Sequence, residues 1–128
     1  MRAAARSLAR GLSVALGLGA VAPGAAAGPA DVLSAKVECD AERVCRFDVT
    51  VRHADVDFDH YADAWDVIAP DGSVLGSRAL QHPHVNEQPF TRSLEGVLVP
   101  PGVDRVRIQA HDSLHGWGGV TLVLEIPE

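Results

Sequence analysis

Two runs decide the fold: Leu33-Ser34-Ala35-Lys36-Val37-Glu38-Cys39 and Cys45-Arg46-Phe47-Asp48-Val49-Thr50-Val51-Arg52. In the first, Leu33, Ala35, Val37 and Cys39 share one parity, with Ser34, Lys36 and Glu38 opposite. In the second, Cys45, Phe47, Val49 and Val51 alternate with Arg46, Asp48, Thr50 and Arg52. Successive side chains of a strand point to opposite faces, so each run predicts a strand with one face in a core and one in water. Between them lies Asp40-Ala41-Glu42-Arg43-Val44, flanked by Cys39 and Cys45. An even cysteine count in a small exported chain reads as a disulfide, here stapling a hairpin. Closing so short a loop stabilises by about 2 kcal/mol on chain-entropy grounds. A redox pair usually has two residues between its cysteines and precedes a helix; these five residues join β-patterned runs, so the bridge reads as structural.

The same period continues outward. Trp65, Val67 and Ala69 point inward on a third strand, and Pro70-Asp71-Gly72 marks a turn. Val74 to Leu80 returns as a fourth. Phe90, Leu94 and Leu98 mark a fifth, closed by Pro100-Pro101-Gly102. Val106, Ile108 and Ala110 mark a sixth. After the glycine-rich turn Gly116-Trp117-Gly118-Gly119, the residues Val120, Leu122, Leu124 and Ile126 form a seventh. Seven short antiparallel strands in about 100 residues predict an all-β sandwich of two sheets.

Residues 1–27 read differently. Arg2, Arg6 and Arg10 are followed by the short apolar run Gly11 to Val21, the breaker Pro23-Gly24, and Ala25-Ala26-Ala27. That order predicts a signal peptide, with one domain over 28–128 and a periplasmic or secreted location. The apolar run is too short to span a bilayer, which takes about 20 residues. No cysteine stands at the cleavage region, which speaks against a lipid anchor, and no later segment predicts membrane insertion. The whole chain carries −6. Without the leader, eight basic residues face 17 acidic ones, a net of −9. Such a surface repels phosphate backbones, so nucleic acid is not an expected partner.

The inward tryptophan of the third strand, followed by a Pro-Asp-Gly hairpin, resembles the immunoglobulin-like or fibronectin-III-like sandwich. The resemblance covers residues 28–128. It is one of architecture: the second strand lacks the inter-sheet cysteine of antibody domains, and the sixth has no Tyr-x-Cys. His60-Tyr61-Ala62-Asp63-Ala64-Trp65, the stretch from His82-Pro83-His84 to Phe90-Thr91-Arg92-Ser93, and His115-Gly116-Trp117-Gly118-Gly119 also resemble small uncharacterised exported bacterial proteins. That family implies no activity, and a fold alone never supplies one.

Candidate chemistry rests on six histidines: His53, His60, His82, His84, His111 and His115. Strict up-and-down alternation places all six at the end of the sandwich opposite the cystine, where such folds bind ligands. The first expectation is a binding or interaction module whose histidine-rich loops meet a protein partner. The alternative is a zinc or copper(II) protein that uses the same loops. Its ligands would be His60, His82, His84 and His115; His82 and His84 lie two apart on an extended segment and point the same way. Asp59, Asp63, Glu87, Arg92, His111 and Trp117 complete the candidate binding set. Arg92 either shares the inward parity of the fifth strand and calls for a carboxylate such as Asp63 or Asp112, or is turned outward by a bulge. Trp117 reads either as a lid over the core or as an exposed aromatic contact. Met1 leaves with the leader and both cysteines are bridged, so soft ligands for copper(I) are missing. The alternating carboxylates Asp55, Asp57 and Asp59 invite a calcium reading. His60 stands where an EF-hand loop needs glycine, and Asp66 replaces its closing glutamate. No nucleophile elbow, His-Glu-x-x-His or phosphate loop occurs, so an enzyme is not expected.

Overall fold

The structure is a computed structural model and describes residues 28–128; the leader expected over 1–27 lies outside them. Among the described residues there are eight strands and no helix. They are β1 (Asp31–Cys39), β2 (Val44–Arg52), β3 (Ala62–Ile68), β4 (Val74–Ala79), β5 (Phe90–Leu98), β6 (Arg105–Asp112), β7 (Gly116–Trp117) and β8 (Leu122–Glu125). The expected seven are present, and the eighth, β7, falls in the segment read as a plain turn. Gly116 adopts φ +76°, which folds Gly116–Trp117 back onto Asp112 and His111.

All pairings are antiparallel. One sheet has the order β1-β2-β5; the other runs β4-β3-β6-β7, with β8 also paired to β6. The two sheets enclose one core. Phe47, Val49 and Val51 come from β2, Trp65 and Val67 from β3, Phe90 and Val97 from β5, and Val106, Ile108 and Ala110 from β6. This two-layer packing is the arrangement of a β-sandwich. Near Gly119 the chain crosses toward the first sheet. There Val32 N donates to Val120 O at 2.9 Å, and Val120 N donates to Asp31 Oδ1 at 2.7 Å.

Two bulges correct the parity expected from sequence. On β1 the register shifts between Val32 and Ser34. Val32 therefore fills the core, while Leu33 is 39% exposed. On β5 it shifts around Glu95-Gly96, with Gly96 at φ +73°. Val97 turns inward opposite Cys45, and Leu98, expected to continue the inward set, is 61% exposed. An extra residue in one strand flips the parity of everything beyond it. Val120, expected on the last strand, lies before it and is exposed.

Cys39 and Cys45 are directly opposite in the β1–β2 register and form a disulfide. The hairpin between them is braced by Asp40 Oδ1, which accepts from Glu42 N and Val44 N at 2.9 Å each. Arg43 extends from the hairpin to donate to Val99 O at 3.0 Å and Val103 O at 2.5 Å.

Candidate histidine–aspartate centre

At the opposite end, β2 and β6 each run one polar residue past their apolar stripes. His53 follows Val51 by two and keeps its inward parity; Asp112 follows Ala110 by two and does the same. Both side chains are fully buried and in direct contact, His53 Nε2 against Asp112 Oδ2. The other ring nitrogen, Nδ1, meets Asp55 Oδ1 at 2.6 Å. His53 thus lies between two buried carboxylates.

Each carboxylate organises further segments. Asp55 Oδ1 accepts from Ala62 N at 3.0 Å, and its Oδ2 accepts from His84 N at 2.6 Å. It ties the end of β2, the start of β3 and the β4–β5 connection together. Asp112 Oδ1 accepts from Leu114 N at 2.6 Å and His115 N at 2.8 Å, shaping the turn into β7. Its Oδ2 faces His60 Nε2 at 2.9 Å and His115 Nδ1 at 3.3 Å, in addition to His53. The rings of His53 and His60 meet edge to face at 4.9 Å, and those of His60 and His115 at 5.1 Å.

The electrostatics follow. Burial disfavours a charge on any of these groups, yet Asp112 and Asp55 both lie below the ordinary carboxyl range. For Asp112 the amides of His115 and Leu114, the His115 side chain and the charge of His53 outweigh burial. For Asp55 the His53 hydrogen bond and the amides of His84 and Ala62 do so. His53 is raised above 6.5: burial opposes its charge, but the Asp55 hydrogen bond and the field of Asp112 prevail. His84 is lowered, by burial first and then by the positive charges of Arg92 and His82.

The remaining candidates form two flanks. On one, His111 Nδ1 meets Asp63 Oδ1 at 2.6 Å, and the Trp117 ring abuts His111 at 4.6 Å. Trp117 is half-exposed and covers His111 instead of capping the core. On the other, His84 is buried, its ring stacked on Phe90 at 4.0 Å, with the exposed His82 ring 4.7 Å away. His84 Nδ1 is 3.8 Å from Asp55 Oδ2, too long for a hydrogen bond, and neither ring nitrogen has a partner. Arg92 pairs with Glu87, Nη2 to Oε1 at 2.9 Å, and lies over Phe90. Its expected partners are engaged elsewhere, Asp63 by His111 and Asp112 by three histidines. Asp59 is exposed; its amide donates to Asp57 Oδ1 at 2.9 Å. The run that invited a calcium reading is divided, since Asp55 points inward while Asp57 and Asp59 face solvent.

Of the four ligands expected from sequence, His60 and His115 converge on Asp112, and His82 and His84 pair apart from them. Within the described residues, a group of three able to share one ion is His53, His60 and Asp112, whose donor atoms lie within 4.8 Å of one another. His53, Asp55 and Asp112 were absent from the expected site, although the inward parity of His53 and Asp112 was readable.

Fold and site together define a small β-sandwich with a buried histidine–aspartate centre at one end. The chain is similar to a protein of Halomicrobium mukohataei described as "Putative lipoprotein", at 40% identity over 96 residues. The match takes in 75% of this chain and 47% of that protein, so the chain spans about half the length of the curated relative it matches. No protein-family model matches the chain, and no solved structure does. No helix among the described residues is long and apolar enough to cross a membrane.

Proposed function

We propose that this chain is an exported binding module, periplasmic or secreted, that engages its ligand through the histidine-rich loop end and carries out no reaction of its own. The leader-like residues 1–27, the cystine and the likeness to a protein described as a lipoprotein support export. The strand order supports the finer fold reading, an immunoglobulin-like or fibronectin-III-like sandwich. Strands one, two and five face a sheet built on four, three and six.

The observation that carries the proposal is what surrounds the polar centre. Val56, Phe58, Val85, Leu114 and Trp117 are all exposed around it, Phe58 by 66%. They are five of the eleven exposed large apolar side chains among the described residues. An apolar rim around convergent polar groups is how a recognition surface is built. Keeping His53, Asp55 and Asp112 buried is costly, and fixing three loops in one geometry gives that cost a use. Photo-crosslinking in the native envelope tests the reading. A cross-linker at Phe58 or Leu114 should give discrete adducts, and one at Glu95 or Asp71, at the far end, should not. Adducts from the far end alone, or equally from both, would refute it.

A further inference from the structure

We propose that His53 Nε2, His60 Nε2 and Asp112 Oδ2 form a mononuclear site for a divalent transition-metal ion, with His115 Nδ1 as a fourth donor. The inference rests on the reading of the loop end as the binding end and adds a metal ion at its polar centre, inside the apolar rim.

A carboxylate has about four acceptor positions, two on each oxygen. Asp112 Oδ1 is occupied by the amides of Leu114 and His115. Oδ2 then faces three ring nitrogens, from His53, His60 and His115. Three N–H groups compete for two positions on one oxygen, and any nitrogen that arrives unprotonated sets lone pair against lone pair. A single cation at the point of convergence resolves the conflict, because each nitrogen and the oxygen would give it an electron pair.

The spacing agrees. Donors about 2.0–2.2 Å from a tetrahedral ion lie about 3.4 Å from one another. His60 Nε2 and His115 Nδ1 stand 2.9 and 3.3 Å from Asp112 Oδ2. The third, the direct contact of the buried His53 Nε2 with Asp112 Oδ2, must widen for an ion to sit between them.

The next layer of groups also fits. A metal-bound histidine usually donates its other N–H to a carboxylate, which fixes the tautomer. Asp55 Oδ1 does this at His53 Nδ1, 2.6 Å away, and so directs the Nε2 lone pair to the site. The ion can enter from solvent, since the His115 side chain is 38% exposed and that of His60 16%.

The chemistry of the set selects the metal. Imidazole and carboxylate suit zinc and copper(II), and the described residues hold no methionine and no free thiol for copper(I). By the divalent stability order, copper(II) binds more tightly than zinc(II) at such a site.

The experiment uses untagged protein and the metals alone. Calorimetric titration with Zn²⁺ and Cu²⁺ should give one equivalent bound, copper the tighter. Electron paramagnetic resonance of the copper form should show hyperfine coupling to at least two imidazole nitrogens, a measurement that needs no variant. His60→Ala and Asp55→Asn should weaken binding by about 10–100-fold, and His82→Ala should leave it unchanged. Affinity weaker than about 0.1 mM for both metals would overturn the proposal. So would loss of binding in His82→Ala with retention in His60→Ala. If metal binding fails while cross-links at Phe58 persist, the metal site falls and the loop end stands as a metal-free recognition surface. If both fail, the wider reading falls too.

Discussion

His53 and Asp112 join the two sheets. His53 ends the inward stripe of β2, the middle strand of one sheet; Asp112 ends that of β6, in the middle of the other. Their contact closes the sandwich at the end opposite the Cys39–Cys45 bridge. Removing one member of a buried pair leaves the other without compensation, at a cost of about 3–5 kcal/mol. Asp112→Asn should therefore lower the unfolding free energy of the metal-free protein by about that amount in urea titrations. A loss under about 1 kcal/mol would show that the contact contributes little.

Acid should destabilise the metal-free protein. Asp55 and Asp112 have folded pKa values below their ordinary 3.8, held there against burial by amides and histidines. Groups so depressed contribute stability that is present above the unfolded pKa and lost as pH falls through the folded one. The urea midpoint should therefore begin to drop at about pH 5 and go on dropping below 3.8, toward the folded values. An unchanged midpoint across that window would contradict the assigned partners.

Near neutrality two histidines oppose each other. His53, raised by Asp55 and Asp112 against its burial, stabilises below its unfolded pKa of 6.5, and that contribution is lost as pH rises through the higher folded value. His84, lowered by burial and by Arg92 and His82, contributes stability above 6.5 that is lost as pH falls through its lower folded value. Together the two rings give the metal-free protein a stability maximum near their unfolded pKa of 6.5, falling off on either side. Proton NMR of the metal-free protein resolves the two rings. As pH rises, His84 should lose its proton before His53, and the reverse order would contradict the geometry.

Gly119 is fixed by backbone. A Cβ there would lie 1.7 Å from the Ala30 carbonyl oxygen, which cannot move away as a side chain could. At Gly118 a Cβ would meet only Pro29, at 3.6 Å, an ordinary contact. Gly119→Ala should cost about 1–3 kcal/mol or more, and Gly118→Ala much less. Equal effects in thermal melts would argue against the crossing of the chain near Ala30.

Much of the fold was legible, because a period of two survives wherever one face of a strand is buried. Phe47, Val49, Val51, Trp65 and Ile108 are buried as their parity requires. Leu33 and Leu98 were misplaced because a bulge inserts a residue without leaving a compositional mark; only Gly96, with its positive φ, hints at one. The histidine end followed from counting chain reversals, but its centre did not. His82 and His84 drew attention through their spacing, while the decisive residues look unremarkable in sequence: His53 ends a strand, and Asp112 follows His111. Continuing the inward parity of β2 and β6 by one more step identifies both. The convergence of His60 and His115 on Asp112 depends on loop paths that no local period encodes.

Anomalous diffraction from crystals of the untagged protein soaked in zinc, recorded at the zinc absorption edge, tests the central claim most directly. The account predicts one peak about 2.0–2.2 Å from His53 Nε2, His60 Nε2 and Asp112 Oδ2. A peak on the His82–His84 pair, or none at the centre, would contradict it.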